Sequence, residues 1–212
     1  WVGDLGSSVT HTSFVVLVIS ASVFSGVSTG WQGLFQSILK LDPSTVGWIG
    51  FANSAAQNFG CLMSGTVSAF ISRRYKCGIL IGLAGCVACL VWFMLQLPSF
   101  LWETAPLPSH RASLIAALTL EGFFAGVTTP LLYEFGAELI YPVREGMSAG
   151  VLVCLLNIAS GVIIFCNTSS NSDYMNFIEV VCVVAVALVI LFFVKEAYNR
   201  PQDAMTATPL LQ

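Results

Sequence analysis

Carboxylates are the chemically loaded residues of this chain, because almost everything around them is apolar. Glu134 and Glu138 stand four residues apart near the end of a long apolar run, so on a helix they share a face. Ionisable side chains inside a membrane span are costly and tend to mark a pathway or a gate. Two chemistries fit the pair. One is proton or cation coupling at a central site. The other is a gate, in which one or both carboxylates pair with Arg73, Arg74 or Arg144 and hold one side of the protein shut. Glu121 lies nearer the opposite end of the same run, where it faces a cavity or reaches the interface. Glu179, near the end of the last apolar run, reads as interfacial.

Neutral polar residues add a second set. Asn157 falls about halfway along an apolar run, where an amide either hydrogen-bonds a neighbouring helix or contacts a substrate. Trp31 and Gln32 place an aromatic ring beside an amide, a pair able to hold a ring or a cationic headgroup. The same two residues also fit a membrane-belt indole with a packing amide. Asn53, Gln57 and Asn58 read as hydrogen-bonding residues between helices. Arg73-Arg74-Tyr75-Lys76 fills a tight turn and reads either as a topology signal or as a latch docking on carboxylates. The seven cysteines fall in or beside apolar segments and read as small packing residues. Ser/His/Asp sets, Cys/His nucleophile pairs, HExxH and phosphate-cradling glycine loops are missing from the sequence. An enzyme, a cofactor and a metal are therefore not expected, and without a basic run neither is nucleic acid.

The elements that must position these residues are membrane helices. The chain is 56% hydrophobic and 9% charged, whereas a soluble domain carries about 25% charged residues. Six apolar runs approach the roughly 20 residues a bilayer requires: 14–39, 46–71, 77–97, 112–140, 147–166 and 176–194, followed by a tail over 195–212. The alternation of a β-barrel is absent, so the expected class is all-α membrane with six transmembrane helices. Short links between the runs lead us to expect sequential helices as antiparallel neighbours. The chain begins at Trp1 rather than Met, and its first residues lack the charged region of a signal peptide. We read it as a fragment or an incomplete gene product.

Charge sets the expected orientation. Arg73, Arg74, Lys76, Arg144, Lys195 and Arg200 fall on one side of an alternating six-helix path, and only Lys40 and Arg111 on the other. The richer side is expected to be cytoplasmic, with both termini. The sequon at Asn167 then falls on the opposite side, in a loop short for an acceptor. The sequence also echoes itself: Phe24-Ser-Gly-Val-Ser-Thr-Gly30 resembles Phe124-Ala-Gly-Val-Thr-Thr-Pro130. The first and fourth spans would run in opposite directions, as in a 3+3 inverted repeat. Chance similarity among common membrane residues is the other explanation. Both stretches pair Gly or Pro with Ser or Thr, which suits bending elements that line a cavity.

Several motifs resemble one transporter family: Gly30-Trp31-Gln32-Gly33 with Ile38-Leu39, Val46-Gly-Trp-Ile-Gly-Phe51, Glu134-Phe135, Glu138-Leu-Ile-Tyr-Pro-Val143 with Glu145-Gly146, Gly150, and Lys195-Glu-Ala-Tyr198-Asn-Arg200. They are similar to the C-terminal six-helix half of major facilitator superfamily transporters, and more narrowly to solute carrier family 49, the group of the feline leukaemia virus subgroup C receptors. The likeness is greatest to a lysosomal member. The resemblance implies a carrier for a small organic solute, vitamin-like or amine, of the pyridoxine or choline class, with proton linkage and a lysosomal or plasma-membrane address. It also implies that Asn157 stands where an amide of the eleventh helix helps line the site. The family's N-terminal six helices have no counterpart here, so transport is expected only with that missing half. The alternative from another class is a six-helix interaction or receptor protein that does not transport.

Overall fold

The computed structural model describes the backbone of residues 2–71, 74–99, 101–102, 104–140, 145–166 and 172–196. Its helices are α1 (Val2–Gly33), α2 (Phe35–Leu39), α3 (Pro43–Ile71), α4 (Tyr75–Met94), α5 (Arg111–Leu139), α6 (Glu145–Cys166) and α7 (Ser172–Phe193). Apart from an isolated bridge between Ser99 and Trp102, the described residues form no β-structure. Residues 12–33 of α1, and helices α4, α5 and α7, are long and apolar enough to cross a membrane. In α6 the described apolar stretch is the shorter Val153–Val162. α3 is long but carries Asn53, Ser54, Gln57, Asn58 and Ser64, which dilute its hydropathy.

Local chemistry sets several boundaries more sharply than hydropathy does. α3 opens at Asp42-Pro43, earlier than the apolar run beginning at Val46. The Asp42 carboxylate accepts the Thr45 backbone N–H at 2.8 Å and the Thr45 hydroxyl at 2.7 Å. Its own carbonyl accepts Val46 N–H at 3.1 Å. Pro43 takes the first helical position, where a missing N–H costs nothing. α2 ends in Lys40, whose φ of 52° turns the chain left-handed while its N–H closes onto Gln36 at 3.3 Å. Pro130 sits inside α5 without ending it. The proline lacks the donor for the Gly126 carbonyl, which loosens the helix at that point.

Adjacency in the bundle differs from the expectation of sequential neighbours. α5 packs chiefly against α3 and α4, α1 chiefly against α6 and α7, and α4 against α7. Contacts between α3 and α4, or between α5 and α6, are slight by comparison. A short link fixes the direction of the next helix, but surface shape decides which helices come close. The α3–α5 contact shows how. A Cβ added at Gly60 would strike the Phe123 carbonyl, one at Gly122 the Asn53 carbonyl, and one at Gly126 the Gln57 carbonyl. Gly122 and Gly126 stand one turn apart, so α5 presents a smooth strip on which the α3 backbone rests. Gly82 and Gly85 of α4 perform the same service for Thr128 and Phe124.

The core runs through these contacts, with Leu17, Trp31, Ile79, Leu83, Cys86, Leu118, Phe135 and Ile190 fully enclosed. The outside is apolar too. Trp48, Phe59 and Leu62 on α3, Phe165 on α6 and Phe192 on α7 are all more than half exposed. A surface of this kind is stable against lipid or another apolar partner rather than water, and the protein is a membrane protein.

Candidate functional site

The two echoing stretches meet. A small depression, with a cavity volume of about 10 Å³, is lined by Ala21, Phe24 and Ser25 of α1, Thr129, Leu132 and Tyr133 of α5, and Leu156 of α6. Both stretches also bend their hydroxyls back onto their own helices. Thr29 donates to the Ser25 carbonyl at 2.8 Å, and Thr129 to the Ala125 carbonyl at 2.9 Å. Thr128 does likewise to Phe124 at 2.7 Å. Such back-bonds satisfy the hydroxyl and favour a slight bend. The result is a mostly apolar wall with an aromatic ring from α1, Phe24, and one from α5, Tyr133, around a space that holds about one water. Reading the sequence located the stretches but missed Leu132, Tyr133, Ala21 and Leu156. The first two lie one helical turn beyond Thr129, and that spacing is the signal that would have found them.

Asn157 follows Leu156 directly. Its amide is exposed and donates to its own helix at the Val153 carbonyl, 2.7 Å away. That bond lies within α6, whereas the sequence led us to expect a neighbouring helix or a substrate as its partner. Trp31 is fully enclosed: its indole N–H donates to Asn176 Oδ1 at 2.7 Å, and its ring meets Phe35 and Phe93 edge-on at 4.8 and 5.8 Å. That ring joins α1 to α7, outside the residues of the depression. Gln32 beside it is half-buried.

The carboxylates separate into two groups. Glu134 is exposed and Glu138 buried near the end of α5, so the pair is split between two environments despite its helical spacing. Arg74, the residue preceding α4, is exposed. Arg73, Arg144 and Asn167 lie outside the described residues. Glu179 departs from its interfacial expectation, and Glu121 lies away from the interface as well. Both sit in the protein interior, 1% and 0% exposed. Glu121 Oε2 accepts the Asn53 amide at 2.8 Å, and the same amide also donates to the Leu118 carbonyl at 2.8 Å. Asn53 is thus the interhelical hydrogen-bonding residue its sequence position implied. Glu179 Oε1 accepts the Ser28 hydroxyl at 2.5 Å. The interfacial reading of Glu179 is corrected: it stands on the one stripe of α7 that faces α1 and α4, together with Met175, Val183, Val186 and Ile190.

Of the basic turn, Lys76 has a clear task. Its ammonium donates to the Leu191 and Val194 carbonyls at 2.8 and 2.7 Å. It therefore latches onto the unpaired carbonyls at the end of α7, where the helix dipole favours a cation, rather than onto a carboxylate. Ser13 Oγ accepts the Lys195 N–H at 3.2 Å, bringing α1 to the same end.

Sequence comparison places this geometry in a context. No protein-family model matches the chain. It is 27% identical over 202 residues to a protein of Xenopus tropicalis named solute carrier family 49 member 4 homolog, covering 90% of this chain and 42% of that protein. The protein of the same name in Xenopus laevis is 28% identical over the same shares. An uncharacterized MFS-type transporter of Caenorhabditis elegans is 29% identical over 154 residues, 71% of this chain and 25% of that protein. The chain thus resembles solute carrier family 49 over most of its length, while spanning less than half the length of these curated relatives.

Proposed function

We propose that the chain is the C-terminal six-span half of a major facilitator carrier, and that with an N-terminal half it moves a small organic solute across a lysosomal or plasma membrane. The solute is vitamin-like or an amine, of the pyridoxine or choline class, and its movement is proton-linked. The observation that carries this reading is the depression between α1, α5 and α6, built where the two related stretches meet. Asn157, one residue from its wall, is proposed to reach the solute, with Gln32 near the outer end of α1. Glu134, Glu138, Arg73, Arg74 and Arg144 are proposed as the cytoplasmic gate, with both termini on that side.

A 3+3 inverted repeat is part of the proposal, and the packing supports it. Exchange α1 with α5, α3 with α6 and α4 with α7, and the principal contacts map onto one another: α3–α5 onto α6–α1, α4–α5 onto α7–α1, and α4–α7 onto itself. The exchange also pairs the Ser28–Glu179 contact of α1 and α7 with the Thr128–Gly82 contact of α5 and α4. Six helices related in this way leave one side of α1 and α5 to be covered by a matching half, as alternating access requires.

The test is uptake of labelled pyridoxine and of labelled choline into vesicles holding the polypeptide as its gene encodes it, with and without a pH gradient. We expect saturable uptake of one of them, lowered at least tenfold by Thr129→Leu, which fills the depression. Absence of uptake of both, or uptake indifferent to that substitution, refutes the reading.

A further inference from the structure

Of the buried acids among the described residues, Glu121 and Glu179 are those that the proposed gate and the depression leave unused. They enter the interior from the same end of the bundle. Ten residues of α5 precede Glu121 and seven of α7 precede Glu179, which sets them about 15 and 10 Å from those helix starts at 1.5 Å per residue. Each has one oxygen satisfied by a neutral donor, Asn53 for Glu121 and Ser28 for Glu179. The Asn53 amide has no donor to spare, because its second hydrogen is taken by the Leu118 carbonyl. Glu121 Oε1 and Glu179 Oε2 are buried and find no hydrogen-bond partner among the described residues.

Among the described residues, no positive charge acts on either carboxyl. The titratable groups within electrostatic reach are Cys86 and Cys89 of α4 and Cys182 of α7, each near one or both carboxyls, and Glu121 itself, which acts on Glu179. α3 contributes Asn53 and α1 contributes Ser28, neither of which titrates. Two carboxylates in apolar surroundings without a cation would be prohibitively costly as a pair of bare charges. A neutral acid in each place removes that cost and keeps the bonds from Asn53 and Ser28.

We propose that Glu121 and Glu179 form a buried proton-binding site, separate from the depression, whose protons keep α5 seated on α3 and α7 seated on α1. Each carboxylate takes its proton from water and returns it to water, on the oxygen that lacks a donor. Access to Glu179 is controlled one turn outward, where Trp31 follows Ser28 and Asn176 precedes Glu179 by three residues, and their hydrogen bond ties α1 to α7. Proton exchange at Glu179 therefore requires α1 and α7 to part. The proposal rests on the transport reading only for its consequence, that opening of the outer side is tied to proton release.

Infrared difference spectroscopy of the gene-encoded polypeptide in phosphatidylcholine vesicles reads the site directly. We expect a protonated-carboxyl C=O band at neutral pH that shifts slowly in heavy water. It should diminish in both Glu121→Gln and Glu179→Gln, stay unchanged in Glu134→Gln, and exchange faster in Trp31→Phe. Glutamine keeps the shape and the bonds from Asn53 and Ser28. Should one glutamine variant fail to fold, loss of band intensity in the other, against full intensity in Glu138→Gln, decides. Absence of the band at neutral pH, survival of its full intensity in both variants, or loss of the band on adding sodium or potassium overturns the proposal. A band that behaves as expected in a protein that takes up neither pyridoxine nor choline would sink the transport reading and leave the proton site standing.

Discussion

The α3–α5 contact makes the sharpest demand on sequence. Replacing Gly126 with Ala puts a methyl group into the Gln57 backbone carbonyl, which cannot swing aside as a side chain would. Two terms compete. Alanine gains about 1 kcal/mol over glycine in helix propensity. Overpacking against fixed backbone costs ~1–3 kcal/mol, more where nothing can yield. The backbone clash should win, for a net loss of about 1–2 kcal/mol. At roughly 2–4 °C per kcal/mol for a chain of this size, the melting temperature falls by several degrees. Gly60→Ala and Gly122→Ala strike the carbonyls of Phe123 and Asn53 and should behave alike. Gly50 and Gly65 of the same α3 are the internal controls. Nothing lies within 4 Å of a Cβ at either position, so alanine there should leave stability unchanged or raise it by up to about 1 kcal/mol. The assay is thermal unfolding in one detergent, followed by circular dichroism. Equal shifts in the two groups would falsify the claim that glycines set the α3–α5 distance. A Gly60→Ala/Gly126→Ala double variant should lose less than the summed single losses, because both open the same contact.

Three further outcomes follow from single contacts. A double-mutant cycle of Trp31→Phe with Asn176→Leu should give a coupling of about 0.6–1.7 kcal/mol, the range of interhelical hydrogen bonds in membranes; a coupling near zero removes the bond's role in joining α1 to α7. Lys76→Met should weaken the end of α7 by ~0.3–1 kcal/mol, read as faster amide exchange at Val194 and Lys195, with no change at the start of α7. Asp42 is held below the usual carboxylate range by the side-chain and backbone hydrogen bonds from Thr45. Its stabilisation of the α3 start is therefore present above the unfolded value of about 3.9 and is lost as pH falls through the lower folded value. Asp42→Asn should abolish that acid-side loss of amide protection at Thr45 while leaving the rest of the exchange profile alone.

Helices were legible from the sequence because their length and apolarity are one-dimensional properties. The long helices fall where the apolar runs lie, with shifts at α1, which reaches back to Val2, and at α3, where Asp42-Pro43 marks the true start. The Asp-Pro pair is a readable start signal that hydropathy alone passes over. The echo between Phe24–Gly30 and Phe124–Pro130 was legible as residue types, and it brought out the two helix walls of the depression. Lys76 was legible as a latch but not its target, since backbone carbonyls at a helix end carry no sequence signature.

Azimuth was the illegible coordinate. On a helix apolar all round, as α7 nearly is, no polar face tells which stripe turns inward. Depth can be counted from the helix end, and by depth alone Glu179 belongs near the interface. Yet the residues at its own spacing, Met175, Val183, Val186 and Ile190, are all buried, and so is the carboxyl. Glu121 on α5 illustrates the same point from the other side. Gly122 and Gly126 reveal a close-packed strip, but which helix rests there emerges only with Asn53 and Gln57 of α3 in place. Side-chain chemistry then reverses the ranking that depth produced. Glu134 is exposed, whereas Glu179, placed at the interface by depth, is removed from water together with Glu121 and Glu138. In a membrane bundle, a carboxyl's distance from the helix end is therefore a weak guide to its cost; the direction it faces across the bundle decides.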